Sequence, residues 1–520
     1  MNKHNIKWRL IIVAAASASL LSSCNGNGTK TTTTTDSTTQ KVATLPPGAI
    51  PNVLPFTIEF QQMQYTGAPL PALQSYQSAV TQNGYLLVLG GRRQGLHTFK
   101  SAPATNFIAD SANNFIFVIN PTNGQYWSFD VNKLDTNLSA PLQSTNQQSY
   151  HDQSTDLLYV VGGYGWMANK KNMTTFSSII SFNVDSMAAA IVAGSPASKI
   201  QSLFKQANDT RFAVTGGELY KMNNTFYLLF GQNFVGQYRA FGGSDFTQTY
   251  LENVFVFTLK PNSLNILSAG NISGQTMPDH PYHRRDGNTI EDVDPATGQM
   301  RISAFGGVFK PGIIAPYTYP VYITNPGTAT PDTNGQQKFS QYGCPVITVF
   351  DSSASSNVYH TFFGGIGHYY YSQTDSQRAV FDTATAQSRN DGFPFVADVS
   401  TFAESASGKY SEYIQLNPII NNRLLGATVR FIVNPAIINN GMAYSNGVIK
   451  LKNMPAGSKV LVGYIYGGIE AQNPLPLIPN TGTFVSNSLF AVYVTNAPSA
   501  ALPASMAHES KTQNANVHRK

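Results

Sequence analysis

Of 520 residues only 12% are charged, while 42% are hydrophobic and 12% aromatic; a soluble domain usually carries about twice that share of charge. Such a composition excludes intrinsic disorder, which goes with many charges and few aromatics, and past the N-terminus no apolar run nears the ~20 residues of a membrane-spanning helix. The net charge is +6, with Lys3, Lys7 and Arg9 in the leader; the rest is scattered, so no nucleic-acid partner is expected.

In chain order, residues 1–9 are basic and Leu10–Leu21 form an apolar stretch too short to span a bilayer comfortably. Leu21-Ser22-Ser23-Cys24 follows and resembles the lipobox of bacterial lipoproteins. The resemblance implies a signal peptide over residues 1–23, acylation of Cys24 and retention at a membrane of the bacterial cell envelope. Asn25 in place of Asp favours the outer membrane, on its periplasmic or its surface side. Residues 24–50, with Thr31–Thr35 in one run and Pro46-Pro47, read as a flexible tether. With Cys24 acylated, Cys344 has no intramolecular partner and reads as a small buried hydrophobe.

From residue 51 to 496 one pattern recurs: a short aromatic or β-branched run ending in paired glycines. It occurs at Leu86–Gly91, Leu158–Gly163, Ser303–Gly307, Thr361–Gly365 and Tyr464–Gly468. A sixth copy is Tyr227–Gly231, where Gln232 replaces the second glycine. Alternating strands are expected after each, at Phe115–Ile119, Phe176–Val184, Val254–Leu259, Tyr319–Thr324, Phe395–Val399 and Leu489–Thr495. Outer strands follow tight turns, at Tyr126–Val131 and Leu264–Leu267. Asn83-Gly84 signals a hairpin joining Ser78–Gln82 to Tyr85–Leu89. No long helical period competes. The unit is a four-stranded antiparallel meander, repeated six times, and residues 497–520 read as a disordered tail.

These glycine pairs resemble those of the kelch family, and the resemblance implies an all-β, six-bladed β-propeller. The units are longer than the roughly 50 residues of a kelch repeat, so the surplus falls in loops. The last unit ends after its third strand, and Phe56–Phe60 alternates like a strand. It is expected to supply the missing outer strand and close the ring.

Residues after each glycine pair share a rim with those that begin each first strand. Candidate ligand-binding residues there are Tyr76, Arg92, Arg93, Tyr150, Trp166, Arg211, His283, Arg284, Arg285, Tyr342 and His368. Arginine offers paired donors to carboxylate or diol oxygens, and flat rings stack on sugar faces. The opposing reading is that arginines at strand starts staple neighbouring backbones; of the two that enter first strands, Arg284 leans toward binding and Arg211 only weakly. His280-Pro281-Tyr282-His283 lacks a third ligand at metal-binding spacing, so no metal and no cofactor is expected. Two functions stay open. One is a membrane-anchored binding protein for a glycan, peptide or protein. The other is a sugar-active enzyme, since bacterial kelch propellers include sialic-acid mutarotases; Arg211 with Glu218, or Arg284 with Asp286, could then bracket an anomeric centre. Galactose-oxidase chemistry is disfavoured because the chain ends with the propeller, and a sialidase because no Ser-x-Asp-x-Gly-x-x-Trp box recurs.

Overall fold

A computed structural model describes residues 52–97, 106–238, 246–273, 277–308, 310–313, 315–324, 327–372, 378–380, 393–415, 423–474 and 482–503. Cys24, the tether and residues 504–520 lie outside them.

Six meanders of antiparallel strands follow one another. The first sheet is Gln77–Val80, Leu86–Leu89, Phe115–Ile119 and Tyr126–Asp130. The second is Gln148–Asp152, Leu157–Val161, Ser178–Asn183 and Lys205–Asn208. The third is Glu218–Met222, Thr225–Leu229, Asn253–Leu259 and Ile266–Ser273. The fourth is Asn288–Val293, Met300–Phe305, Val321–Thr324 and Thr328–Pro331. The fifth is built on Val346–Asp351, Asn357–Phe363, Val399–Ser405 and Tyr410–Gln415. The sixth joins Phe431–Val433, Lys459–Tyr466 and Leu489–Thr495 to Thr57–Gln62 from the other end of the chain. That last pairing runs in register from Thr57 opposite Thr495 to Gln62 opposite Phe490. The fold is all-β, and its repeated four-stranded sheets are consistent with a β-propeller.

The second strands are largely buried because both their faces are covered; Leu86–Leu89 are apolar and wholly buried, while those of the fourth and fifth sheets also bury Arg301 and His360. Separate clusters of apolar side chains fill the gaps between successive sheets. Leu87, Val118, Val160 and Ile180 join the first and second sheets, and Leu229, Val254, Ile302 and Val321 the third and fourth. Each glycine pair adopts positive φ, as at Gly90 (65°) and Gly91 (82°), a region that costs other residues about 1–2 kcal/mol. In the third repeat the pair is shifted from the sequence expectation. Phe230 (φ 56°) takes the first position and Gly231 (78°) the second, and Gln232 begins the next strand.

Other expectations needed correction. The third strand of the fifth sheet is Val399–Ser405, not Phe395–Val399. Phe393 and Phe395 are instead core anchors, fully buried beside Val308, Ile366 and Ile469. Residues 499–503, expected in a disordered tail, form a strand between Tyr410–Gln415 and Asn52–Leu54. Helix Val184–Val192, which no sequence signal announced, starts on Asn183, whose side chain accepts from the Ser186 N–H (2.9 Å). It packs Met187 and Ile191 into the gap between the first two sheets.

Two long loops also build structure of their own. The hairpin Tyr164–Met167/Asn172–Thr175 and the hairpin Gln232–Gly236/Phe246–Tyr250 form one further four-stranded sheet, cored by Tyr164, Met173 and Phe234. Between Val433 and Lys459, Ile449-Lys450 pairs in parallel with Val349-Phe350, on the free edge of the first strand of the fifth sheet.

Candidate functional site

Just before each first strand stands one residue in the left-handed region: Ser75 (51°), Asn146 (49°), Gly216 (66°), Asp286 (55°), Gly343 (57°) and Thr428 (66°). The turn they make lets each N–H reach the carbonyl of its counterpart in the preceding sheet. Asn146 donates to Ser75 (3.3 Å), Gly216 to Asn146 (3.2 Å), Asp286 to Gly216 (2.9 Å), Thr428 to Gly343 (2.5 Å) and Ser75 back to Thr428 (3.0 Å). Among the described residues the remaining link, from Gly343 to Asp286, is not made. There Asn288 stands in: its side chain accepts from the Cys344 N–H (2.9 Å) and donates to the Gln341 carbonyl (2.7 Å).

This necklace is the waist of a cavity. On one side lies an inner chamber of ≈ 170 Å³, on the other an outer chamber of ≈ 150 Å³, and Ser75, Asn146, Asp286, Gly343 and Thr428 line both. The outer chamber has Phe107, Tyr164, Phe234 and Tyr238 among its lining, with Val308, Ile366 and Ile469. The inner one is polar and carries charge on Glu218, Asp286 and Arg430. Arg430 hydrogen-bonds Glu218 and also Tyr220, whose hydroxyl donates to the Thr289 carbonyl. Farther along the first strands, Tyr150 hydrogen-bonds Glu291 and meets Tyr220 edge-on.

The carboxyl groups here are held toward their neutral forms. Burial raises Glu218 above the ordinary value although Arg430 opposes it, and burial raises Asp286 although Arg285 opposes it. Withdrawal from water takes Glu291 up to about 8 despite its bond from Tyr150. Arg430 is held above its usual value: burial lowers it, and Glu218 and Tyr220 more than offset that. The chamber can bind charged or hydroxylated groups, and farther along the first strands Glu291 is a proton donor near neutral pH.

Of the sequence candidates, Tyr76 lines the inner chamber, with its hydroxyl donated to the Tyr466 carbonyl (2.6 Å), and Tyr342 and Arg285 line the outer. Tyr150 belongs to the Glu291 cluster. Burial works against the Arg285 charge, and Tyr250, Tyr238 and Asp286 more than restore it. Trp166 stands 47% exposed on the loop-built sheet. His368 is half-buried against Tyr369 and Phe393; burial, with Lys310 nearby, pulls it down to about 4.

Five other candidates make contacts outside the two chambers. Arg284 is 2% exposed and donates to the carbonyls of Pro281 (2.7 Å), Gly306 (3.1 Å) and Tyr319 (2.9 Å), with its guanidinium over the Tyr317 ring. It staples three backbone carbonyls, and Asp286 pairs with Arg285 instead. Arg92 is likewise buried, bonded to Gln94 and the Ile108 carbonyl, and burial draws it down to about 10. Arg211 is exposed and paired with Asp209 (2.6 Å), not with Glu218. His283 stacks on Tyr250 and bonds Glu252 (2.5 Å). Arg93 is exposed and donates to the Asp110 carbonyl (2.7 Å). Sequence reasoning missed Arg430, Glu291, Asn146 and Thr428. One signal was available: two residues beyond the waist, five of the six repeats carry a polar residue, Gln77, Gln148, Glu218, Asn288 and Arg430, with Pro345 in the fifth repeat.

The chain matches no known protein family and no curated protein. Among solved structures it is similar to YjhT, with 10% identity and a TM-score of 0.41, over 83% of this chain and 98% of that one.

Proposed function

We propose that the six sheets are the blades of one kelch-type ring, closed by Thr57–Gln62, and that its loop-bearing mouth admits a small ligand into the two-chambered channel. The observation that carries this is the shared waist. The backbone link from Ser75 to Thr428 joins the two ends of the repeat array, and the same residues open onto both chambers. A polar inner space behind an aromatic outer one suits a ligand that enters polar end first. In this reading the protein is an envelope-anchored binding protein, held by a lipid on Cys24. A melting-temperature screen of the purified chain against free sugars and amino acids tests the binding; no shift from any of them refutes it. Cys24→Ala should abolish acyl labelling, and normal maturation with membrane retention in that variant refutes the anchor.

A second reading, a sugar-active enzyme, is favoured by one observation: Glu291, up to about 8 beside Tyr150, is protonated at neutral pH and can act as an acid. NMR of freshly dissolved sugar anomers tests it. Equilibration no faster than in buffer removes the reading.

A further inference from the structure

Building on the channel as a binding site, we infer that its ligand is a free α-amino acid with an apolar or aromatic side chain. The ammonium is set against Asp286, the carboxylate against Arg430, and the side chain lies in the outer chamber.

The charges argue for it. Of the three charged side chains in the inner chamber, Glu218 is 8% exposed and already covered by Arg430. Asp286, 3.7 Å from Arg285, and Arg430, bonded to Glu218, are the more open members of their two ion pairs, with 31% and 39% of their side-chain surface exposed. They are opposite in sign and reach the chamber from the fourth and sixth sheets. Between them the waist position of the fifth sheet is Gly343, where a Cβ would meet nothing nearer than 3.7 Å. The space separating the two charges is therefore open. It is also where the necklace lacks its link, so the Gly343 N–H does not go to Asp286 and remains for a carboxylate oxygen.

A ligand with one charge fits this space poorly. An anion at Arg430 leaves Asp286 facing it, and a cation at Asp286 leaves Arg430 facing it. A zwitterion satisfies both, and a peptide end carries only one of the two groups. The body of the ligand is set by the outer chamber, where Phe107, Tyr164 and Tyr238 share the lining with Val308, Ile366 and Ile469. The hydroxyl of Thr145, a residue 2% exposed in the lining of that chamber, has no hydrogen-bond partner.

Isothermal titration of the full chain in detergent separates the possibilities, with L-phenylalanine, phenethylamine, 3-phenylpropionate and methyl α-glucoside as probes. Phenylalanine should bind, and each singly charged analogue should bind at least about ten-fold more weakly, the loss of one charge-assisted contact. Asp286→Asn keeps a residue type that tolerates left-handed φ. It should bring phenylalanine down to the level of phenylpropionate and leave phenylpropionate unweakened. Gly343→Asn, which fills the space between the charges, should abolish binding of both. If phenylpropionate, phenethylamine or the glucoside binds as tightly as phenylalanine, the amino-acid assignment falls; the channel reading survives only if Gly343→Asn blocks that binding. Phenylalanine binding that is indifferent to both variants places the site elsewhere and overturns the inference. No binding by any probe overturns the inference and the channel reading together.

Discussion

Gly343 and Gly162 have nearly the same backbone, with φ 57° and 63°, yet the same substitution should be nearly neutral at the first and severe at the second. At Gly343 an added Cβ finds only ordinary contacts, the Asp286 carbonyl and the Thr428 nitrogen, both at 3.7 Å. Asn tolerates the left-handed region, so its residual strain of about 1 kcal/mol is partly offset by the lower entropy of an unfolded chain without that glycine, about 0.4–1 kcal/mol. At Gly162 the Cβ would press directly on the Val214 carbonyl oxygen and lie 2.8 Å from that of Phe212. That backbone cannot retreat without breaking the 2.8 Å bond from Gly163 to Val214, which ties the second sheet to the third. Overpacking against fixed backbone costs roughly 3 kcal/mol or more. Calorimetric melting of the two Asn variants should give a change within about 2 °C for Gly343→Asn and a much larger loss for Gly162→Asn. Equal losses would mean that left-handed φ alone, and not the space beside the glycine, decides the outcome.

Three further outcomes follow from the same geometry. Arg284→Ala removes donors to three buried carbonyls and should cost more than about 3 kcal/mol, whereas Arg211→Ala, at an exposed pair, should change melting by less than about 1 kcal/mol; a stable, fully folded Arg284→Ala protein contradicts the staple. Glu291 is raised from its ordinary 4.5 to about 8 in the folded chain, so its contribution is complete below about pH 4.5 and is lost as pH rises through about 8. Melting temperatures of the wild type should therefore fall relative to Glu291→Gln across that window, and parallel curves refute the shift. Asn288→Ala should destabilise the junction of the fourth and fifth sheets by about 2–4 kcal/mol, two buried hydrogen bonds with one donor and one acceptor left unpaired; a neutral result in chemical denaturation denies its bridging role.

The repeat was legible because glycine pairs and period-two runs are local signals. Leu86–Leu89, Asn83-Gly84 and five of the six third strands need no distant contact to be recognised. Even the pairing of Thr57–Gln62 with Leu489–Thr495 could be anticipated, since one unit lacked a strand and one segment had no unit. What failed depended on contacts far along the chain. Phe395 looks like a strand residue until Ile366 and Ile469 surround it. Ser499–Pro503 look like tail until the open edge of Tyr410–Gln415 is known. The sheet built from two loops draws Tyr164 and Phe234 together across 70 residues, and neither loop alone specifies it. At the site the local pattern does not separate the arginines. Arg284 and Arg430 each stand near the start of a first strand, and nothing local tells which one meets three carbonyls and which one faces open space.

That ambiguity has a physical source in the scarcity of charge. A chain with 12% charged residues might be expected to spread them over its surface, where solvation is free. Instead several are drawn inside. Arg301 bonds Asp292 (2.7 Å) and Glu404 (2.5 Å), with His360 fully buried beside Asp292, where the fourth and fifth sheets meet. Burying charge is costly unless each group is paired and hydrogen-bonded, and at this junction every partner is supplied by the adjoining sheets. The same junction lacks the Gly343-to-Asp286 link in the necklace. Side chains hold this junction together, through Asn288, Arg301 and Glu404. Without the hydrogen bond, the Gly343 backbone lies next to Asp286 in the cavity wall. Arg284 and Arg301 thus fix the sheets, while Asp286 and Arg430 line the inner chamber.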